Sequence, residues 1–240
     1  MDVSNFISPK ELIRIKGEIV EQALARSNPI IAMEYNDGVV LMAENPSETL
    51  NKVSEIYDHI AFAGTGVYND YERLRRAGVQ YADVKGFSYS RRDVKARAIA
   101  TEYSSILGDI FARQQLPWEV EILVVEIGTA PADNRMYMIP FSGGLVEEKK
   151  HAVIGDIHRD DDGDLQRGTL RKKLTECELS GEAGLDTVVG TGYRVLCSLK
   201  GDDARIPASD LEVVTLDRTV NRPRKFRRLQ ESEVEPLIST

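Results

Sequence analysis

The residues just before the first predicted strand determine what chemistry this end of the chain could perform. Two short apolar runs, Ile30–Tyr35 and Val39–Ala43, flank the turn-forming pair Asp37-Gly38 and predict a β-hairpin. The hairpin is preceded by Asn28 and Pro29, and neither side chain carries a hydroxyl or thiol that could attack an amide. The sequence therefore predicts a hairpin without a nucleophile at its start.

This hairpin resembles the opening hairpin of N-terminal nucleophile hydrolases. In such enzymes a Thr, Ser or Cys begins the first strand, and its freed amine acts as the base. Aligning Gly38–Val40 with the equivalent segment places Asn28 at the nucleophile position, between Ser27 and Pro29. The resemblance implies that this chain has no catalytic residues, and we favour this interpretation over an active amidase processed at Ser27.

Other polar clusters do not indicate a metal site. The histidines His59, His151 and His158 are too scattered in the sequence to suggest metal ligation. The acidic run His158–Leu165 resembles part of a calcium loop, but Thr169 stands where a bidentate Glu is needed. We expect a solvated acidic loop or a helix start there, and we predict neither a metal nor a cofactor.

A basic run, Asn221–Leu229, raises the possibility of nucleic-acid binding. The alternative is a strand that points Lys225 and Arg227 outward and Phe226 inward. The chain has a formal net charge of −8, which argues against a protein devoted to phosphate backbones. We therefore expect the strand, with its cations balancing acids of the same domain or assembly.

Composition indicates an ordinary soluble globular protein. Of the 240 residues, 42% are hydrophobic and 29% are charged, so the chain can bury a core without disulfides or a metal. Cys177 and Cys197 are expected to be free thiols in a reducing compartment. No apolar run approaches the ~20 residues of a membrane helix, and the N-terminus lacks the pattern of a signal peptide. We expect a cytoplasmic protein with no membrane partner.

A helix is predicted ahead of the hairpin, over residues 8–26. Ser8 suits the N-cap, Pro9 the first helical position and Glu11 the third residue after the cap. Its apolar residues follow helical spacing and predict this contact stripe: Leu12, Ile15, Ile19 and Ala23.

The remaining elements alternate between blocks of strands and pairs of helices. Further strands are predicted near 52–56, 59–64, 118–127, 135–141, 144–148, 151–154, 211–216 and 225–229. Helices are predicted after residues 67 and 90, and over 163–174 and 185–199. Paired helices do not suit a sheet with singly alternating strands and helices. The order predicts an α+β fold, a four-layer αββα sandwich with an extra N-terminal helix.

Several segments strongly resemble the α subunit of actinobacterial-type 20S proteasomes. The resemblance extends from Phe6 to Leu229 and is weaker between Asp156 and Gly201. The segments that carry it are FISPKELIRIKGE, AENPSETLNKVSEIYDHIAFAGTGVYNDYERLRRAGVQYADVKGFSYSRRDVKARAIA and NRPRKFRRL.

The resemblance implies a non-catalytic subunit of a threonine-type endopeptidase complex. Such subunits form homo-heptameric α rings on β subunits, which cut unfolded proteins, and they receive ring-shaped AAA ATPase activators. It implies one proteasome-subunit domain over 1–240, with a gate tail (1–7), a prefix helix (8–26), the sandwich (27–230) and a C-terminal tail (231–240). The alternative is a non-enzymatic monomeric binding domain that uses the basic run for RNA.

The resemblance also implies a substrate gate at the N-terminus. The gate residues would be Phe6, Ile7, Ser8 and Pro9. For Phe6 and Ile7, a hydrophobic staple before the Ser8 cap is an equally open interpretation.

A second implied site is an activator-docking pocket between neighbouring α subunits. Lys52 would pair there with the carboxylate of an ATPase tail, and Gly66 and Val67 would form the pocket wall. Without the resemblance, Lys52 would be taken for an ordinary exposed lysine.

Overall fold

The chain folds as two stacked five-stranded sheets between layers of helices. The structure, a computed structural model, describes residues 8–160, 162–179, 181–201 and 204–239. Within these residues the helices are α1 (Pro9–Leu24), α2 (Tyr68–Ser88), α3 (Ala96–Arg113), α4 (Thr169–Glu176), α5 (Leu185–Cys197) and α6 (Glu231–Ile238). The first strands are β1 (Ile30–Tyr35), β2 (Gly38–Glu44), β3 (Val53–Tyr57), β4 (Ile60–Gly66), β5 (Val120–Glu126) and β6 (Arg135–Ile139). The later strands are β7 (Val146–Glu148), β8 (His151–Ile154), β9 (Ile157–Arg159), β10 (Leu165–Arg167), β11 (Leu211–Asp217) and β12 (Phe226–Arg228).

Both large sheets are antiparallel. The first has the strand order β12-β11-β2-β1-β8 and the second the order β3-β4-β5-β6-β7. The predicted hairpin is β1–β2, in which Tyr35 lies opposite Gly38. The strands β9 and β10 form a separate two-stranded ribbon.

Each central strand is buried on both faces, which explains its nearly continuous apolar sequence. In β1, Ile31 and Met33 pack against the helix layer, whereas Ile30 and Ala32 pack against the second sheet. The helices α2 and α3 cover the second sheet, and α4, α5 and α6 cover the first. The predicted four-layer αββα sandwich with an additional N-terminal helix is confirmed.

The helix α1 begins as predicted but packs with a different face. Ser8 Oγ accepts a hydrogen bond from Glu11 N at 3.2 Å, and Pro9 is the first helical residue. The positions buried within the subunit are Lys16, Val20 and Leu24, which lie beside the predicted stripe. The apolar residues of the predicted stripe stay exposed or half-buried: Leu12, Ile15, Ile19 and Ala23.

The helix predicted over residues 163–174 begins later, because a β-ribbon precedes it. The Asp160 carboxylate accepts hydrogen bonds from Asp164 N (2.8 Å) and Gln166 Nε2 (2.6 Å), which closes the turn between β9 and β10. The Asp156 carboxylate then accepts hydrogen bonds from Leu170 N (3.1 Å) and Arg171 N (3.0 Å) at the start of α4. These side-chain hydrogen bonds stabilise a ribbon in the first part of this polar segment, where the sequence pattern predicted a helix.

Most of the C-terminal segment that was predicted as a tail is helical. Residues Glu231–Ile238 form α6, which starts with a capping box between Gln230 and Glu233 and buries Val234 against the first sheet's helix layer.

Part of the basic run before α6, Phe226–Arg228, forms the strand β12, as favoured. Phe226 is buried and Arg227 is exposed, and three arginines pair with acids of the same chain. The pairs are Arg224–Glu55, Arg227–Glu233 and Arg228–Glu212.

Candidate functional site

Asn28 lies in the segment between α1 and β1, and two polar side chains donate hydrogen bonds to its backbone carbonyl. Lys52 Nζ donates to Asn28 O at 2.7 Å, and Thr65 Oγ1 donates to the same oxygen at 3.1 Å. The Asn28 side-chain amide donates to Glu44 O at 3.3 Å. The position predicted to have lost its nucleophile therefore carries an amide that serves as a structural hydrogen-bond donor.

Ser27 does not supply the nucleophile that is missing at Asn28. Its backbone N–H donates to Leu24 O at 2.8 Å, so it belongs to the hydrogen-bonded end of α1. In the state described, this nitrogen is a peptide amide, which cannot act as the free amine base of an N-terminal nucleophile.

Lys52 is half-buried, in contrast to an ordinary exposed lysine. Burial lowers its pKa from the ordinary value of 10.5 to about 8, and the nearby carboxylates of Glu212 and Glu44 oppose this shift. The ammonium is therefore desolvated, and its hydrogen bond to Asn28 O makes up part of the lost hydration.

Glu212, in β11, holds the backbone that carries Lys52. Its carboxylate accepts hydrogen bonds from Lys52 N and Val53 N, each at 3.0 Å, and from Asn45 Nδ2 at 2.7 Å. It also pairs with Arg228. Glu212 belongs to the first sheet and Val53 to the second, so this carboxylate ties the two sheets together beside Lys52.

The structure brings Lys52 close to the predicted pocket wall. Lys52 O accepts a hydrogen bond from Gly64 N at 3.0 Å, which places Lys52 opposite the end of β4. Gly66 closes that strand with φ of +104°, and an added Cβ would lie 1.9 Å from Glu119 O. Val67 follows with a partly exposed side chain and donates its N–H to Glu119 O at 2.9 Å.

The predicted gate is only partly described. Phe6 and Ile7 lie outside the described residues, whereas Ser8 and Pro9 form the capped start of α1.

Lys16 was missed by the sequence analysis and fixes α1 on the sandwich. Its side chain is 5% exposed, and Nζ donates to Phe111 O (2.9 Å) and Gln114 O (2.6 Å). These carbonyls lie at the C-terminal end of α3, where a cation is favourable for the helix dipole. Thr65 and Glu212 were missed as well, because their partners come from distant parts of the chain.

Metal ligands do not cluster within the described ranges, where no group of three or more His, Cys, Asp or Glu side chains is placed to hold an ion. Both cysteines are free thiols, with Cys177 exposed and Cys197 buried. None of the described helices combines the length and the apolar character required to cross a bilayer.

Comparison with known proteins identifies relatives over the whole chain. The family model described as proteasome subunit matches residues 25–182. A "Proteasome subunit alpha" from Nocardioides sp. is 38% identical over 239 residues, which cover 99% of this chain and 90% of that protein. Proteins with the same name from Arthrobacter sp. and Streptomyces coelicolor are each 36% identical, covering 98% and 100% of this chain and 97% and 91% of their own lengths.

Proposed function

The chain belongs to the proteasome subunit family, and from this premise we propose that it is a non-catalytic α subunit that caps and gates the 20S core. Asn28 carries the proposal. It lies two residues before β1, at the position where an N-terminal nucleophile would need a hydroxyl or thiol, and its carbonyl accepts hydrogen bonds from Lys52 and Thr65. Peptide cleavage, by a threonine-type mechanism, belongs to the β subunits.

Exposed apolar side chains support assembly into a ring. Leu12, Ile13 and Ile19 are exposed on α1, while Phe87 and Tyr89, at the end of α2, are 94% and 80% exposed. Clusters of this kind are typical of surfaces covered by another protein. The proposed assembly is a homo-heptameric ring that stacks on β subunits.

The proposed docking pocket uses Lys52 with Gly66 and Val67 from one subunit, and a neighbouring subunit supplies the other wall. The Lys52 ammonium already satisfies one acceptor, Asn28 O. A carboxylate would compete with this neutral carbonyl, because it adds the attraction between two opposite charges to the hydrogen bond. A ring-shaped AAA ATPase that ends in a free carboxylate therefore fits this site.

The proposed gate is the tail that leads into α1. The Ser8 cap and Pro9 set the point from which residues 1–7 emerge, and Lys16 holds the helix behind them. Phe6 and Ile7 would supply apolar contacts between tails in the closed ring. The particle would work in the cytoplasm, where free thiols such as Cys177 and Cys197 persist.

The test of the docking role is Lys52→Ala in the assembled α–β particle. We expect ATPase-driven degradation of a protein substrate to be lost, while hydrolysis of short peptides stays at the wild-type rate. Lys172→Ala, which changes an exposed lysine on α4, is the matched control. Protein degradation at the wild-type rate by the Lys52 variant would refute the pocket.

The test of the non-catalytic role uses the mass of the mature subunit and its activity without β subunits. We expect an unprocessed chain with no peptidase activity. A subunit that begins at Ser27 and cuts peptides by itself would instead establish the amidase alternative.

A further inference from the structure

A groove of about 880 Å³ lies at the end of the second sheet opposite to Lys52. Lys52 precedes β3, whereas the groove is built on the β3–β4 turn at the far end of that strand, beside the start of α3 and the segment before β12. A five-residue strand spans roughly 17 Å, so the groove is separate from the proposed docking pocket. We call it the basic groove, after the six cationic side chains that line it: Arg91, Arg92, Lys95, Arg97, Arg135 and Lys225.

Three of the cations are held at the groove by acids. Arg91 Nε donates to Asp58 Oδ2 at 2.9 Å, and Lys95 Nζ lies 3.2 Å from Glu126 Oε1. Arg135 lies 3.6 Å from a carboxylate oxygen of a residue in β7. These pairs fix the walls of the groove and leave little net charge for a ligand.

The Lys225 ammonium is held by hydrogen bonds to two backbone carbonyls, Arg218 O at 3.2 Å and Val220 O at 2.5 Å. Its charge remains uncompensated by a carboxylate in these contacts.

Arg92 and Arg97 differ from the other cations of the groove. Both are exposed, and neither guanidinium has a hydrogen bond or ion pair to another residue in the part of the chain that the structure describes. They flank the start of α3, Arg92 in the preceding 3-10 helix and Arg97 in the first turn. Each retains its full set of donors for an incoming carboxylate.

The charge of the basic groove is opposite to that of the chain. The lining holds six cations and three carboxylates, Asp58, Glu126 and Asp133, in a chain of formal net charge −8. We propose that the basic groove is a docking site for an acidic protein segment, whose carboxylates pair with Arg92 and Arg97. The guanidinium fork suits a carboxylate in a bidentate geometry.

An acidic peptide fits these observations better than a nucleic acid. The three carboxylates in the lining interrupt the cationic surface, so a phosphate backbone finds no continuous row of cations, whereas side-chain carboxylates on flexible peptide arms can reach the two guanidiniums. The neighbouring basic run adds few available charges for a nucleic acid, since Arg224, Arg227 and Arg228 are paired with acids of this chain. The groove thus presents two available guanidiniums and no long cationic track.

The experiment measures fluorescence anisotropy of a labelled hexaglutamate peptide with the purified full chain. We expect binding that weakens steeply from about 50 mM to about 0.5 M salt, because the contacts are exposed charge pairs. The double variant Arg92→Ala/Arg97→Ala should weaken binding by at least about tenfold, as expected when two charge-assisted contacts are lost.

The matched control is Arg76→Ala/Arg113→Ala, which removes two exposed arginines from α2 and α3 outside the groove and changes net charge equally. This variant should bind within about twofold of the wild type, and circular dichroism should show that both variants fold. Equal losses in both variants, or no binding by the wild type, would overturn the proposal. So would tighter binding of an oligothymidylate with the same number of charges, which would assign the groove to nucleic acid.

This inference does not depend on the proposed role of Lys52. The Lys52→Ala variant should bind hexaglutamate as the wild type does, so a failure of the docking pocket and a failure of the basic groove can be told apart.

Discussion

At the scale of single residues, the most informative contact is the shared carbonyl of Asn28. Lys52 and Thr65 both donate to it, so groups that could act on a substrate are satisfied by the chain itself. The Lys52 pKa, lowered to about 8 by burial, places its titration close to neutral pH. Its charge, and therefore any carboxylate docking that depends on this charge, becomes sensitive to pH.

We expect tail docking to weaken as the pH rises from 7 to 9. The lysine is charged below its pKa and loses its proton as the pH passes through about 8, so the docking-competent fraction falls roughly tenfold over this range. A carboxylate bound beside it raises the pKa, and docking above pH 8 therefore takes up a proton. The measurement is the affinity of the assembled particle for a peptide with the C-terminal sequence of the proposed ATPase partner.

Lys52→Arg is the control for this pH dependence. A guanidinium stays charged across the whole range, so the variant should bind with an affinity that is nearly flat between pH 7 and 9. The same slope in wild type and variant would show that another group titrates.

Lys52 could be predicted from the sequence only through its resemblance to a known family, since nothing in its neighbours marks it as half-buried. Thr65 and Glu212 could not be found, because the atoms that they contact are 37 and 160 residues away. Local patterns carry no information on such pairs.

At the scale of elements, α1 is attached by a mixed apolar and ionic contact. Val20 and Leu24 pack with Ile157 of the β9–β10 ribbon, while Lys16 donates to the last carbonyls of α3. The helix that carries the proposed gate is thereby fixed to two separate parts of the sandwich.

Lys16→Met should loosen α1. The two carbonyls at the end of α3 would lose a charged donor, which costs about 2 kcal/mol for hydrogen bonds of this type. We expect a lower thermal midpoint and faster amide exchange in α1. Lys10→Met, at an exposed position of the same helix, should leave both unchanged. Unchanged exchange in α1 of the Lys16 variant would contradict its anchoring role.

Two glycines with opposite surroundings give a paired stability test. Gly66→Ala should lower the unfolding free energy by about 2 kcal/mol or more, because φ is +104° and the new Cβ would meet Glu119 O. Gly17→Ala should raise it by about 0.5–1 kcal/mol, since Gly17 is helical and an added Cβ meets no atom within 4 Å. Chemical denaturation of both variants measures the difference, and equal effects would refute the strain argument.

The sequence predicted correctly the elements with long apolar runs. It did not predict the segments whose structure depends on hydrogen bonds of polar side chains. The strands β1, β2, β4 and β5 are apolar enough to be placed within two residues. The β9–β10 ribbon has no apolar alternation, and its turn depends on hydrogen bonds of Asp160. The face of α1 that packs on the sandwich was not predicted, because a lysine occupies it and Lys is seldom fully buried.

At the scale of the whole molecule, the second sheet of the sandwich has a different cationic site at each end. One end holds Lys52, desolvated and engaged with Asn28, and the other opens into the basic groove. Glu212 links the two sheets next to the first end. At the second end, Lys225 N donates to Asp58 O at 2.6 Å and joins the segment before β12 to the β3–β4 turn.

Removal of Met1–Ile7 should raise basal peptide hydrolysis by the assembled particle several-fold. The tails are proposed to obstruct entry, and their loss removes the obstruction without touching the Ser8 cap or the Lys16 anchor. The rate is measured with a short fluorogenic peptide in the absence of ATPase. Turnover equal to that of the full-length particle would argue against a gate in this segment.

The carbonyl of Asn28, covered by Lys52 and Thr65, has a consequence for chemical labelling. An electrophilic inhibitor that forms an adduct with both the hydroxyl and the free amine of a terminal threonine would meet only the amide side chain of Asn28 at the matching position of this subunit. In a particle saturated with such a reagent, we expect the threonine-type adduct on the β subunits and not at Asn28. The outer rings would thus provide an unreacted internal standard within the same preparation.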